Sequence, residues 1–201
     1  MITIIDYGIG NLGSILNMFK YIGVNAEIAR DVQTIARAEK ILLPGVGAFD
    51  PAMNCLNSSG FRDTLDQKVM NDGVPVLGIC LGMQMLTQSS EEGTLAGLGW
   101  ISAHAHRIPN GPGLRIPHMG WNTVHPKRES PLTAGLNEQS RFYFANTYAV
   151  QVQDPFDRIM TTRHGIEFDS VISHKNIYGA QFHPEKSHKF GMQLLKNFVN
   201  L

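Results

Sequence analysis

The first eighty residues constrain the fold most: short β-like runs take turns with segments of helical periodicity. "ITII" at 2–5, "VNAEIA" at 24–29, "KILLPG" at 40–45 and "VPVLGI" at 74–79 read as strands. Between them, Leu12, Ile15, Leu16, Phe19 and Ile22 recur at helix spacing, and "FRDTLDQKVMNDG" reads as a helix closed by Gly73. Strands apolar on both faces need cover on both faces, and the alternation supplies helices to provide it. This predicts an α/β fold with a central, mostly parallel sheet flanked by helices. The second half is strand-rich, with "RFYFAN", "TYAVQV", "DRIMTTR", "SVISH" and "IYGAQF", before an amphipathic helix carrying Phe190, Leu194, Leu195, Phe198 and Val199.

At 201 residues and 43% hydrophobic, the chain is expected to form one domain over residues 1–201. Seventeen basic residues against seventeen acidic ones leave no field that would attract nucleic acid or an anionic membrane. The N-terminus lacks a basic segment followed by an apolar core and cleavage site, and the apolar run around residue 80 is too short to cross a bilayer. A cytoplasmic protein is expected. Cys55 and Cys80 form no C-x-x-C pair, so no disulfide is expected.

"VPVLGICLGMQML" frames Cys80 with Gly78 and Gly82 at a predicted strand-to-helix junction, the helix running through "LGMQMLTQSS". This is the nucleophile-elbow pattern with sulfur in place of a hydroxyl. The junction strains the nucleophile's backbone, and the glycines let neighbouring chain approach without a clashing Cβ. A helix N-terminus favours the thiolate and leaves the Leu81 N–H for a developing oxyanion. Cys55 has no such frame and reads as a small buried hydrophobe. A thiol nucleophile needs a base and an orienting group. His183 and Glu185, two apart at the end of a predicted strand in "YGAQFHPEKS", leave that strand on the same side.

The combination of "GICLGMQ" with "QFHPEKS" resembles the class I glutamine amidotransferases. "IIDYGIGNLGS", "LPGVGAF", "PHMGWN" and "FYF" are similar to one branch, whose members pass ammonia to a separate (βα)8-barrel cyclase that makes imidazole glycerol phosphate in histidine biosynthesis. The resemblance covers nearly the whole chain and implies a flavodoxin-like fold and a Cys80, His183, Glu185 triad hydrolysing L-glutamine through a thioester. It also implies an oxyanion site from Leu81 and the "PGVG" turn with Val46 and Gly47, and substrate contacts from Gly45, Gln84, Thr147 and Tyr148. The implied partner is a cyclase subunit in a 1:1 heterodimer, met by Asn11, Trp121, Tyr143, Asn146 and Lys186. No cofactor or metal is implied. Asn146 stands where that branch commonly has a histidine, and Gly13 where it has an arginine; both are expected on the partner side. A paralogue feeding ammonia to a nucleotide-sugar or surface-polysaccharide enzyme is the alternative.

Two other readings compete. "GIGNLG", with Gly8, Gly10 and Gly13 after a strand and Asp31 about 20 residues on, fits the dinucleotide-binding pattern but leaves Cys80 and His183 idle. His104 and His106 stand at strand spacing, but no third ligand accompanies them, so an exposed strand face is expected rather than a metal site. Glu91 and Glu92 read as a solvated turn.

Overall fold

A computed structural model describes residues 1–201. The first half runs β1 (Ile2–Ile5), α1 (Leu12–Tyr21), β2 (Ala26–Ala29), α2 (Val32–Ala36), β3 (Ile41–Gly45), α3 (Phe49–Ser58), α4 (Arg62–Asp66), β4 (Val76–Cys80) and α5 (Leu81–Met85). Strands dominate thereafter: β5 (Ser89–Ser90), β6 (Ala103–Arg107), β7 (His118–Thr123), β8 (His125–Pro126), β9 (Arg141–Asn146), β10 (Tyr148–Val152), β11 (Arg158–His164), β12 (Ile166–His174) and β13 (Ile177–Ala180). Helix α6 (His188–Val199) follows.

The eight-stranded sheet has the order β2-β1-β3-β4-β13-β12-β11-β8. From β2 to β13 every pairing is parallel, and β12, β11 and β8 add an antiparallel extension. Successive residues of the apolar strands feed two cores: Ile5 and Leu43 pack with Phe49, Met53 and Leu56, whereas Ile4, Leu42 and Leu77 pack with Phe19, Phe142 and Phe198. Burial on both faces explains why β1, β3 and β4 are apolar throughout or nearly so, whereas the edge strand β2 is partly exposed and carries Glu27. A three-stranded sheet, β10-β6-β5, and the β7-β9 pair complete the second half.

Three local expectations are corrected. Helix α5 ends at Met85 and not near residue 90, because Ser89 and Ser90 pair in parallel with His104 and Ala105 of β6. The 61–73 segment is a short α4 followed by a wider turn of π type over Gln67–Asn71. Cys55 lies on the exposed side of α3, away from the core formed by Phe49, Ala52, Met53 and Leu56.

Candidate active site

Adjacent strands β3, β4 and β13 end at the same edge of the sheet, with Gly45 opposite Cys80 and Ala180 opposite Ile79. The next residues of each strand therefore meet: the Pro44–Gly47 turn, Cys80 itself and, three residues beyond β13, His183. Cys80 has φ 54°, a left-handed backbone that costs a non-glycine residue about 1–3 kcal/mol. The contact between strand and helix explains the flanking glycines. A Cβ on Gly82 would lie 2.0 Å from the Leu43 carbonyl oxygen, and one on Gly78 would lie 2.7 Å from that of Gly82.

The His183 N–H donates to the Tyr143 carbonyl at 2.9 Å, tying this residue to β9. The Ser187 hydroxyl donates to the His183 carbonyl at 2.6 Å and accepts from the Tyr143 N–H at 3.0 Å, closing the "HPEKS" turn. Nδ1 of His183 is 2.8 Å from Oε1 of Glu185, whose side chain is almost wholly buried. Burial alone would lower the His183 pKa, but hydrogen bonds to Cys80 and Glu185 outweigh it and raise the pKa to about 9. At neutral pH His183 therefore carries a proton.

These groups open on a cleft of about 300 Å³ lined by Val46, Gly47, Cys80, Leu81, Gln84, Glu92, Asn146, Thr147, Tyr148, His183 and Lys186, among others. Leu81 is the first residue of α5, so its N–H lacks an intrahelical acceptor. Val46 is 41% exposed and Gly47 has φ 95°, whereas Pro44 is anchored by the buried Tyr7 hydroxyl, which donates to its carbonyl at 2.7 Å. Gly45 does not line the cleft; it packs against α5, where an added Cβ would lie 2.6 Å from the Gly82 nitrogen.

Sequence reasoning missed Glu92 and Gln181. Glu92 is the cleft's single carboxylate and accepts from the Phe49 N–H at 2.9 Å, contrary to its reading as a solvated turn. Burial raises its pKa, with the Phe49 N–H opposing. Asp50 pins the loop bearing Glu92 by accepting from the N–H groups of Thr94, at 2.9 Å, and Leu95, at 3.0 Å. Gln181 is fully buried; its Nε2 lies 3.9 Å from Cys80 Sγ, and its Oε1 accepts from Gln84 Nε2 at 3.3 Å. Only their tertiary contacts distinguish these two residues.

Asn146, expected on the partner side, is buried and lines the cleft, whereas Gly13 is exposed on α1. Trp121 and Tyr143 lie together with ring centroids 6.1 Å apart, Lys186 Nζ is 5.6 Å from the Tyr143 ring, and Trp121 is exposed. Asn11 is exposed and caps α1 through Ser14. In the glycine-rich motif, Asp6 pairs with Arg30 at 2.8 Å, and Asp31 caps α2 by accepting from the Thr34 N–H at 2.8 Å. Both carboxylates thus have local structural partners. On β6, His104 contacts Ser89 and Gln153, and His106 contacts Glu91. Glu91 is exposed and also accepts from the Arg107 N–H.

The model of the glutamine amidotransferase class-I family matches residues 3–201. The chain belongs to the class I glutamine amidotransferase family. This amidotransferase is 50% identical over 201 residues to imidazole glycerol phosphate synthase subunit HisH 2 of Pseudomonas aeruginosa, with 100% of both chains covered. It is 51% identical over 199 residues to the HisH 2 subunit of Methanococcus maripaludis, covering 99% of this chain and 98% of the relative. Identity to the HisH subunit of Bdellovibrio bacteriovorus is 49% over 204 residues, with 100% of both covered. The solved structure of PurLQS from Thermotoga maritima shares the fold with TM-score 0.75 and 16% identity, covering 99% of this chain and 97% of that one. A solved glutamine amidotransferase matches with TM-score 0.77 and 16% identity, covering 99% and 97%. No helix of this amidotransferase is long and apolar enough to cross a membrane.

Proposed function

We propose that this amidotransferase is the glutaminase subunit of an imidazole glycerol phosphate synthase, hydrolysing L-glutamine to glutamate and ammonia. The observation that carries the reading is the convergence of a strained cysteine, a histidine–carboxylate pair and the "PGVG" turn on one cleft. His183 takes the Cys80 thiol proton, Sγ forms a bond to the side-chain amide carbon with its own electron pair, and the π pair of the carbonyl moves onto its oxygen. The N–H groups of Leu81 and Val46 receive that charge, with Gly47 completing the turn. When the tetrahedral species collapses, His183 gives its proton to the leaving nitrogen; it then takes one from the water that cleaves the γ-glutamyl thioester. Glu185 holds the imidazole. Glu92 provides the anion for the substrate's α-ammonium, while Gln84, Thr147 and Tyr148 shape the remainder of the cleft.

Residues 1–201 act in this reading as one domain that makes ammonia and leaves its use to a separate (βα)8-barrel cyclase. Trp121, Tyr143, Lys186 and Asn11 supply the surface for a 1:1 heterodimer, and the reaction takes place in the cytoplasm. Free ammonia is readily lost, so hydrolysis should wait for the acceptor. The "PGVG" turn is suited to this control, because Gly47 permits the adjoining peptide to flip and aim an N–H toward or away from the oxyanion. The test compares glutamate release by the chain alone, with the cyclase, and with cyclase plus its nucleotide substrate. We expect at least about a hundredfold activation in the third case, or ~2.7 kcal/mol of transition-state stabilisation. Full activity in the chain alone would refute the control mechanism. Exposed Gly13, at the position where the similar branch carries arginine, supports a second reading with a different acceptor enzyme, and activation by such an enzyme alone would favour it.

A further inference from the structure

His118 and Asn146 face each other as register partners across β7 and β9 and are 4% and 5% exposed. Each holds one buried polar atom without a hydrogen-bond partner: Nδ1 of His118 and Oδ1 of Asn146. Orphaned buried groups of this kind are uncommon, and here one has the capacity to donate while the other accepts. The tautomer follows from the opposite side of the ring. Asn122 Nδ2 approaches His118 Nε2 at 3.1 Å, and because the amide nitrogen is a donor, Nε2 accepts and Nδ1 carries the hydrogen.

The ring is held in its plane by stacking on Phe144 at 4.7 Å and on His164 at 4.0 Å, both measured between ring centroids. Nδ2 of Asn146 donates to the Tyr148 carbonyl at 2.9 Å, and Gln84 Nε2 donates to that same oxygen at 3.1 Å. Gln84, Asn146 and Tyr148 all line the cleft. If the Asn146 amide were reversed, its oxygen would oppose the Tyr148 carbonyl oxygen, and the strand crossing the cleft wall would lose one of its two ties. Something must hold the amide in one sense.

We propose that His118 is a positioning residue for the cleft: its Nδ1–H donates to Asn146 Oδ1 and locks the amide so that Asn146 and Gln84 jointly hold the Tyr148 carbonyl. Burial and the neighbouring His164 push the His118 pKa down to about 4, and donation to the Asn146 amide oxygen only partly opposes that fall. The ring therefore stays neutral, in the form with one donor and one acceptor. The pairing also gives the asparagine at 146 a defined task.

Two measurements test it. Imidazole ¹⁵N NMR on the full chain should find His118 as the neutral Nδ1–H tautomer between pH 6 and 8, the less common form of free histidine; the Nε2–H tautomer would overturn the proposal whatever the protein's activity. Glutamine binding, measured calorimetrically in the Cys80→Ala background, addresses the cleft and rests on the glutaminase reading for its ligand. Asn146→Asp keeps an acceptor toward His118 but loses the donor to Tyr148; we expect it to weaken binding about tenfold, as Asn146→Ala does. His118→Phe preserves the stacking and should weaken binding severalfold. Unchanged affinity in folded Asn146→Asp and His118→Phe would overturn the positioning role. Absence of glutamine binding in the Cys80→Ala parent itself would count against the glutaminase reading, with the tautomer still deciding the pairing.

Discussion

The two loops that flank the cleft at the ends of β3 and β4 are built on opposite principles. At β4 the chain turns into α5 with no free space, Gly82 lying against the Leu43 carbonyl and Gly78 against Gly82. At β3 the turn leaves the sheet toward solvent, Val46 is 41% exposed, and an added Cβ on Gly47 would meet nothing within 4 Å. Cys80 is held by packing, whereas the Pro44–Gly47 turn is held chiefly at its root, where Tyr7 bonds Pro44. In the proposed mechanism this puts rigidity at the bond-forming atom and freedom at the charge-stabilising one.

The contrast is broken most severely by removing the fixed element's reactive atom. Cys80→Ala should reduce glutamine-dependent turnover by at least about a thousandfold while the partner still uses added ammonium salt, since only the thioester step needs sulfur. Cys55→Ala, on the exposed side of α3, should change neither rate.

Rigidity itself is the next target. Gly82→Ala drives a Cβ into backbone that cannot swing aside, and we expect a loss of at least ~2 kcal/mol in urea unfolding. Gly47→Ala has space but must hold φ 95°; it should cost ~1–2 kcal/mol in stability, less than Gly82→Ala, and show its effect in the degree of partner activation. Equal destabilisation by the two variants would erase the distinction between the loops.

The smallest effect concerns the base. His183 keeps its proton up to about pH 9, so glutamate release should decline as pH rises through that value. Glu185→Gln removes one of the interactions that raise the pKa, and the descending limb should move to lower pH with roughly a tenfold loss of rate. The linkage has the same sign: stability supplied by the His183 pairing is present in full below about pH 6.5 and is lost through pH 9. A limb unmoved in Glu185→Gln would remove Glu185 from control of the imidazole.

The parallel half of the fold was legible because buried strands write their environment directly into composition, as in "KILLPG" and "VPVLGI". Cys80, His183 and Glu185 could be singled out because glycine framing and two-residue spacing are local patterns. The rest depends on distant partners. Glu92 becomes a cleft residue only because α3 presents the Phe49 N–H to it and Asp50 pins its loop. Gln181 differs from any strand glutamine only in lying beside Cys80 and Gln84, and the exposure of Cys55 depends on which face α3 turns to the sheet. The burial of Asn146 follows from β9 pairing with β7, a long-range contact that its motif position does not carry.

The left-handed backbone at Cys80 also implies that this protein stores heat resistance it does not use. A glycine there would relieve a conformation that alanine, like cysteine, must endure, so Cys80→Gly should melt at a higher temperature than Cys80→Ala despite glycine's greater freedom when unfolded. Both variants are inert toward glutamine, which makes their difference a reading of the backbone alone.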